Sequence, residues 1–224
     1  MNRNVRVTPC PGNNAICCAG CIIARTCEER DEVYRLRHEA YRRDGAIDPQ
    51  PEGRFSDYFD SLPNSVSLLA RCPDREATAT VRISVVRPDL SWHEAPSRRV
   101  FDGDPALEAM AREAYVEASR LCFGPLARRD AFVKLLGHMA ALADVYETGW
   151  LVACPRVEHA HVYKSLFGFR QVAEPRQYFG VRFQTQLLAV RREDIRLYVR
   201  HRTCMLTAWK EALDHWRSLP AFAS

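Results

Sequence analysis

Residues 115–123 read YVEASRLCF, and no other stretch restricts the fold as strongly. Tyr, Val, Leu, Cys and Phe suit a half-buried pleated surface, so the pattern predicts a strand. Yet this strand carries Glu117 and Arg120 in its middle and runs into Gly124-Pro125 and the paired Arg128-Arg129. Side chains on a regular strand alternate between faces, so residues three apart point to opposite sides. For Glu117 and Arg120 to share one site, a β-bulge must lie between them. Buried charges are normally paired. Glu117 is therefore read either as a carboxylate paired with Arg120 or Arg82, or as an acid–base group whose pKa is raised by burial; the two roles can coexist.

The chain has 224 residues, 47% hydrophobic and 27% charged, enough to bury a sizeable core. Its net charge of +4, from 32 basic and 28 acidic residues, is too mild for a nucleic-acid partner. The arginines come in pairs, at 42–43, 98–99, 128–129 and 191–192. These are read either as solvated surface or as a dock for an acidic partner. Nine cysteines, odd in number and irregular in spacing, argue against a disulfide scaffold. Cys18 and Cys21 form one C-x-x-C without a second pair or a nearby His, so no metal site is expected. No apolar run approaches the ~20 residues of a membrane span. The apolar run before Cys21 also falls short of the ~7–15 residues of a signal core. It reads as a buried first strand in a reducing cytoplasm.

Residues 1–14 are expected to form a flexible lead-in, and 15–224 a single domain. A strand at about 15–25 is followed by a helix in which Val33, Leu36, Ala40 and Tyr41 recur at helical spacing. Thr26 caps it, Glu29 completes a capping box, and Gly45 ends it. Residues 44–64 are loop-like and contain RFSDYFD. VSLLARC and ATATVRISVV read as a hairpin turning at residues 73–76, with Val81, Ile83 and Val85 toward the core and Arg82 and Ser84 toward a cleft. Residues 87–105, rich in Pro and Asp, read as a mobile crossing loop. A long helix ending at Gly149, the strand WLVAC, a helix from Pro155 to Gly168, a strand pair and an amphipathic helix at about 204–218 complete the order. The expected class is α/β (α+β), a mixed sheet with helices on its faces.

This order, with YKSLFGF closing a helix late in the chain, resembles the GNAT acyltransferase fold, whose sheet is mostly antiparallel with helices on both faces. It is most similar to the acyl-carrier-protein branch, the N-acyl amino acid synthases of the FeeM type and the related acyl-homoserine-lactone synthases. The resemblance covers most of residues 20–190. It rests on Arg37 and Tyr41 in LRHEAY, Asp57 and Asp60 in FSDYFD, Arg82 in TVRISV, and Glu117, Ser119 and Arg120 in EASRL. Acetyl-CoA enzymes of this fold carry a glycine-rich pyrophosphate loop, where this chain has GPLARRD with Gly124 alone. That suits a donor carried on a carrier protein's phosphopantetheine arm. The lactone synthases have a Trp ten residues after the helix arginine, where this chain has Ile47.

The resemblance implies N-acylation of an amino acid or similar amine by an acyl-carrier-protein thioester. The alternatives are an acyl-homoserine-lactone synthase, an acyl-CoA N-acetyltransferase, and a non-catalytic module that binds carrier protein or lipid. Glu117 would take the ammonium proton, Arg120 and Arg82 would hold a carboxylate bidentately, and Ser119 would line the same cleft. Asp57 and Asp60 would either recognise the acceptor's ammonium and order the entrance loop, or form a short helical turn with its aromatics in the core. Arg37 would brace that loop by pairing with an aspartate, with Tyr41 beside it. Tyr163 resembles the tyrosine that protonates the leaving thiolate, although it stands five residues before Gly168 where the fold has four. Phe123, Gly124, Arg128 and Arg129 would meet the donor or the carrier's acidic surface. No bound cofactor is expected, only acyl-phosphopantetheine as donor. A lipid product would allow contact with a membrane surface.

Overall fold

A computed structural model describes residues 20–71, 77–89, 94–125, 127 and 129–219. The lead-in at 1–14, the first part of the strand expected at 15–25, Cys18, the turn at 73–76 and Arg128 lie outside the described residues. The elements in chain order are β1 (Gly20–Ile23), α1 (Cys27–Arg43), a 3-10 turn (Tyr58–Asp60), β2 (Ser65–Arg71), β3 (Ala77–Val86), α2 (Pro96–Val100) and α3 (Pro105–Arg112). There follow β4 (Tyr115–Phe123), α4 (Arg129–Val145), β5 (Trp150–Ala153), α5 (Ala160–Phe167), β6 (Arg170–Gln171), β7 (Arg176–Gln177) and β8 (Gln184–Thr185). The chain then forms β9 (Leu188–Arg191), α6 (Arg192–Arg200) and α7 (Thr203–Arg217).

Seven strands form one sheet in the order β1-β2-β3-β4-β5-β9-β6, with β7 and β8 a separate pair. Every pairing in the large sheet is antiparallel except β4 with β5, which run parallel from Tyr115 opposite Trp150 to Ala118 opposite Ala153. The mixed, mostly antiparallel sheet of the GNAT fold is therefore present. Helices cover both faces. On one, Val81, Ile83, Val85, Val116, Ala118 and Leu151 pack against α4, α5, α6 and α7. On the other, Val86, Tyr115 and Val152 meet α1, α2 and α3. As expected, Val81, Ile83 and Val85 share one face and leave Arg82 and Ser84 on the other.

Local chemistry accounts for the helix ends. Thr26 accepts from the Glu29 amide while the Glu29 carboxylate receives the Thr26 amide, the reciprocal box expected for α1. Gly168 ends α5 at φ +71°, and a Cβ there would lie 2.4 Å from the Tyr198 ring of α6. Gly168→Ala is thus expected to destabilise the fold by about 2 kcal/mol or more, through left-handed strain and displacement of α6. Urea denaturation measures this directly.

Several expectations need correction. β1, expected to be a buried strand, lies half-exposed at the edge of the sheet. The segment 87–105, read as a mobile crossing loop, contains α2 among its described residues, with Ala95, Pro96 and Ser97 buried. The strand pair expected after Gly168 is fragmented into β6 to β9, and α3 and α6 were missed. No helix of the described residues is long and apolar enough to cross a membrane. The cysteines described, Cys21, Cys27, Cys122, Cys154 and Cys204, are free.

Candidate acyl-transfer site

The unusual composition of β4 is resolved by its geometry. Thr80 pairs with Cys122 and Arg82 with Ser119, so Val81 alone faces two residues, Arg120 and Leu121. This is a β-bulge, and Arg120 sits in it at φ +55°, a region few non-glycine residues occupy. The extra residue reverses the alternation of side chains. Before it, Val116 and Ala118 pack on the α4 face; after it, Leu121 and Phe123 do. Arg120 thereby joins Glu117 on the α1 face, and the bulge required for a shared site is found.

The two do not pair with each other. Both carboxylate oxygens of Glu117 accept from the Ser97 amide, at 3.0 and 3.2 Å, and the Ser97 hydroxyl shares a 2.9 Å hydrogen bond with Tyr115. Of the two readings of Glu117, the ion pair with Arg120 or Arg82 is not formed; α2 closes over the carboxylate instead. Glu117, Ser97 and Tyr115 are all fully buried. Burial pushes Glu117 up to about 7, with the Ser97 hydrogen bonds and the Arg82 charge restraining the rise.

The arginines gather on the FSDYFD loop instead. Arg120 donates to one Asp57 oxygen through Nε at 3.0 Å and Nη2 at 2.7 Å, while Arg82 donates to the other. Arg82 also lies 3.2 Å from Asp60 and donates to the Ser119 hydroxyl at 3.1 Å. Arg37 reaches up from α1 to Asp60 at 2.7 Å and to Ser67 at 2.9 Å, the brace expected of it. Asp57 and Asp60 cap their own 3-10 turn as well. Burial would raise the Asp57 carboxyl, but Arg82 and Arg120 outweigh it and hold it down at about 2. The two aspartates therefore face guanidinium groups within a short helical turn, the second of the two readings of this loop. Of the loop's aromatics, Phe55 and Phe59 are in the core and Tyr58 is exposed.

Aromatic rings enclose the cluster. The Arg120 guanidinium lies 4.7 Å from the Phe55 ring centre, 4.8 Å from Tyr178, 5.5 Å from Phe179 and 5.7 Å from Tyr41. Three guanidinium groups face two aspartates, and the excess shows in the hydrogen bonding. Arg82 Nη2, Arg120 Nη1, Arg37 Nε and the Tyr178 hydroxyl are buried without a partner. An open groove of about 790 Å³, lined in part by Arg25, Arg30 and Arg87, reaches the cluster at Asp60 and Ser67.

On the opposite side of β4, β5 ends at Ala153, and its parallel pairing stops at Ala118, just before the bulge. Tyr163 lies buried with its ring against Phe132 and Phe169. Burial keeps its hydroxyl protonated, helped by the fields of Tyr41, Cys122 and Cys154. Phe123 stacks edge-on with Phe132 and its carbonyl accepts from Arg43. The Gly124 amide donates to Thr78, and a Cβ there would meet Leu36 at 3.1 Å, so this glycine serves strand packing. Arg129 opens α4, but its side chain lies outside those described. Among the described residues no group of three or more His, Cys, Asp or Glu could hold a metal ion.

Ser97, Tyr115, Tyr178, Phe179 and Cys154 were not anticipated. Only the Tyr178-Phe179 doublet gave any signal, as a pair of aromatics beside a glycine.

The family model for the N-acyl amino acid synthase FeeM matches residues 32–191, and no curated protein matches the sequence. The solved structure of FeeM, from uncultured soil microbes, superposes with a TM-score of 0.65 at 15% identity, covering 84% of this chain and 97% of that one. The CoA-dependent acyl-homoserine lactone synthase BjaI gives a TM-score of 0.53 at 15% identity, over 81% of this chain and 87% of its own. A putative N-acetyltransferase from Lactobacillus plantarum gives 0.53 at 14%, over 78% and 98%. At these identities the superpositions establish the fold. The family match runs from within α1 to the end of β9 and includes every residue of the arginine–aspartate cluster, so the chain belongs to the FeeM family of N-acyl amino acid synthases and is an acyltransferase.

Proposed function

We propose that this enzyme moves a long-chain acyl group from the phosphopantetheine thioester of an acyl-carrier protein to the α-amine of an amino acid. One observation carries the reading: a buried guanidinium cluster in excess over its aspartates, with unpartnered N–H groups, beside a carboxyl poised near neutrality. The acceptor's carboxylate suits Arg82 Nη2, Arg120 Nη1 and the Tyr178 hydroxyl, since a carboxylate takes several charge-assisted hydrogen bonds. Glu117 then takes a proton from the ammonium, and the freed amine attacks the thioester carbonyl. The bulge in β4 leaves a residue outside the ladder, whose amide can receive the oxyanion. Tyr163 gives its proton to the departing thiolate and regains one from the amine nitrogen, which sheds its second proton as the amide forms. Access to Glu117 requires α2 to move, because the carboxylate is sealed beneath Ser97 in this structure.

What surrounds Gly124 supports a carrier-borne donor. Its amide is engaged by Thr78 and the motif has no further glycine, which favours one pantetheine phosphate over the diphosphate of CoA. The basic Arg128-Arg129 pair is the proposed contact for an acidic carrier. The free cysteines accord with a cytoplasmic setting. The test is thiol release by purified enzyme supplied with an amino acid mixture and either acyl-carrier protein or acyl-CoA of the same chain. Faster release from the carrier supports the reading, and equal or faster release from CoA removes the carrier.

The proposed base also sets a pH dependence. Only deprotonated Glu117 accepts a proton, so kcat/KM is expected to fall as pH drops below about 7, with an acid limb at that value. A rate profile flat from pH 5 to 8 would exclude Glu117 as the base.

A further inference from the structure

The family match ends at Arg191, yet α6 and α7 continue beyond it and build one wall of an apolar cavity. Met139 and Ala140 of α4, Leu151 of β5 and Phe169 form the other walls, and Val199 and Met205 close it. The free space is about 10 Å³, near the room for one water, which a wholly apolar lining does not retain. A row of rings joins this cavity to the site. Phe123, at the end of β4, lies 6.0 Å from Phe132, Phe132 lies 6.1 Å from Tyr163, and Tyr163 lies 5.8 Å from Phe169. The far end is shut: a Cβ on Gly137 of α4 would lie 3.0 Å from the Ala208 carbonyl carbon of α7, so the two helices touch backbone to backbone.

We infer that α6 and α7 make the acyl pocket blind-ended, and that Met205, which lines the cavity with Met139, sets the longest acyl chain the enzyme accepts. The inference rests on the acyl transfer proposed above. Methionine side chains are unbranched and flexible, so they fill the space when it is empty and rotate aside for a chain. Each added methylene that reaches apolar surroundings strengthens binding, until one must push α7 off α4. A closely packed end makes that limit sharp.

The test supplies purified full-length enzyme with acyl thioesters of graded length and reads the products by mass spectrometry. Met205→Ala is expected to move the preferred length upward and Ala140→Leu downward, changing the long-to-short ratio by roughly tenfold in each direction. Val199→Ala is a milder enlargement should Met205→Ala fold poorly. Opposite shifts from enlarging and filling cannot arise from general loss of stability. Products of unchanged length in all variants, or shifts in one direction only, overturn the inference. Absence of any N-acyl product from the wild type overturns the proposed function instead. Calorimetry with free fatty acids of graded length then decides the pocket: opposite shifts in preferred length support it, and no binding or no shift refutes it.

Discussion

Glu117→Gln is expected to lower acyl transfer by about a hundred- to ten-thousand-fold while making the fold more stable. The loss follows from removing the general base. The gain follows from linkage. The folded-state pKa of about 7 lies above the ordinary 4.5, so the folded protein holds this proton more tightly than the unfolded chain does. That contribution to stability is fully present below the unfolded value and is lost as pH rises through the folded one. Above pH 7 the buried carboxylate therefore costs on the order of 3 kcal/mol relative to its protonated form. Glutamine carries no charge to desolvate and keeps an acceptor for the Ser97 amide. Urea denaturation at pH 8 should show Glu117→Gln more stable than wild type, with the difference shrinking toward pH 5. A variant less stable at both values would mean that the carboxylate is held in place for structure.

Asp57→Ala is expected to destabilise the fold by about 3–5 kcal/mol, because breaking a buried ion pair leaves its partner charged and unpaired. Here Arg120, 6% exposed, loses the carboxylate that takes both of its N–H donors, and the fully buried Arg82 is left with Asp60 and Ser119. The substitution also removes the acceptor for the Phe59 amide that starts the 3-10 turn. A loss of this size is a large share of a typical domain's stability. Adding Arg120→Met should restore part of it, since the second change removes the stranded charge and fills its place among Phe55, Tyr178 and Phe179. Denaturation midpoints of the two single variants and the double variant give the coupling. A loss below about 1 kcal/mol for Asp57→Ala would show that solvent reaches the cluster.

Much of this was legible in the sequence, for reasons specific to each element. The bulge in β4 could be anticipated because the conflict was local: an apolar strand holding Glu117 and Arg120 on one side must break its alternation. The box at Thr26 and Glu29, and the glycine ending α5, depend on a few adjacent residues and were found where expected. α2 was not legible, since five residues beginning with proline show no helical periodicity and Ser97 packs on Glu117, 20 residues away. The pairing pattern was misjudged for a related reason. Sequence proximity suggested Glu117 with Arg120, whereas the fold places Arg120 on Asp57, 63 residues away. The paired arginines, read as solvated surface or as a dock, do lie largely at the surface, with Arg42, Arg43 and Arg99 exposed. Arg191 stacks on Trp150 at 3.9 Å and pairs with Glu113, and Arg99 lies 5.0 Å from the Phe179 ring.

The most direct test of the account is mass spectrometry of lipids from a bacterial host expressing this chain, beside a host expressing Glu117→Gln. The account predicts a new N-acyl amino acid in the first culture and its disappearance from the second. An acyl-homoserine lactone in its place, or a product that persists with Glu117→Gln, would contradict it.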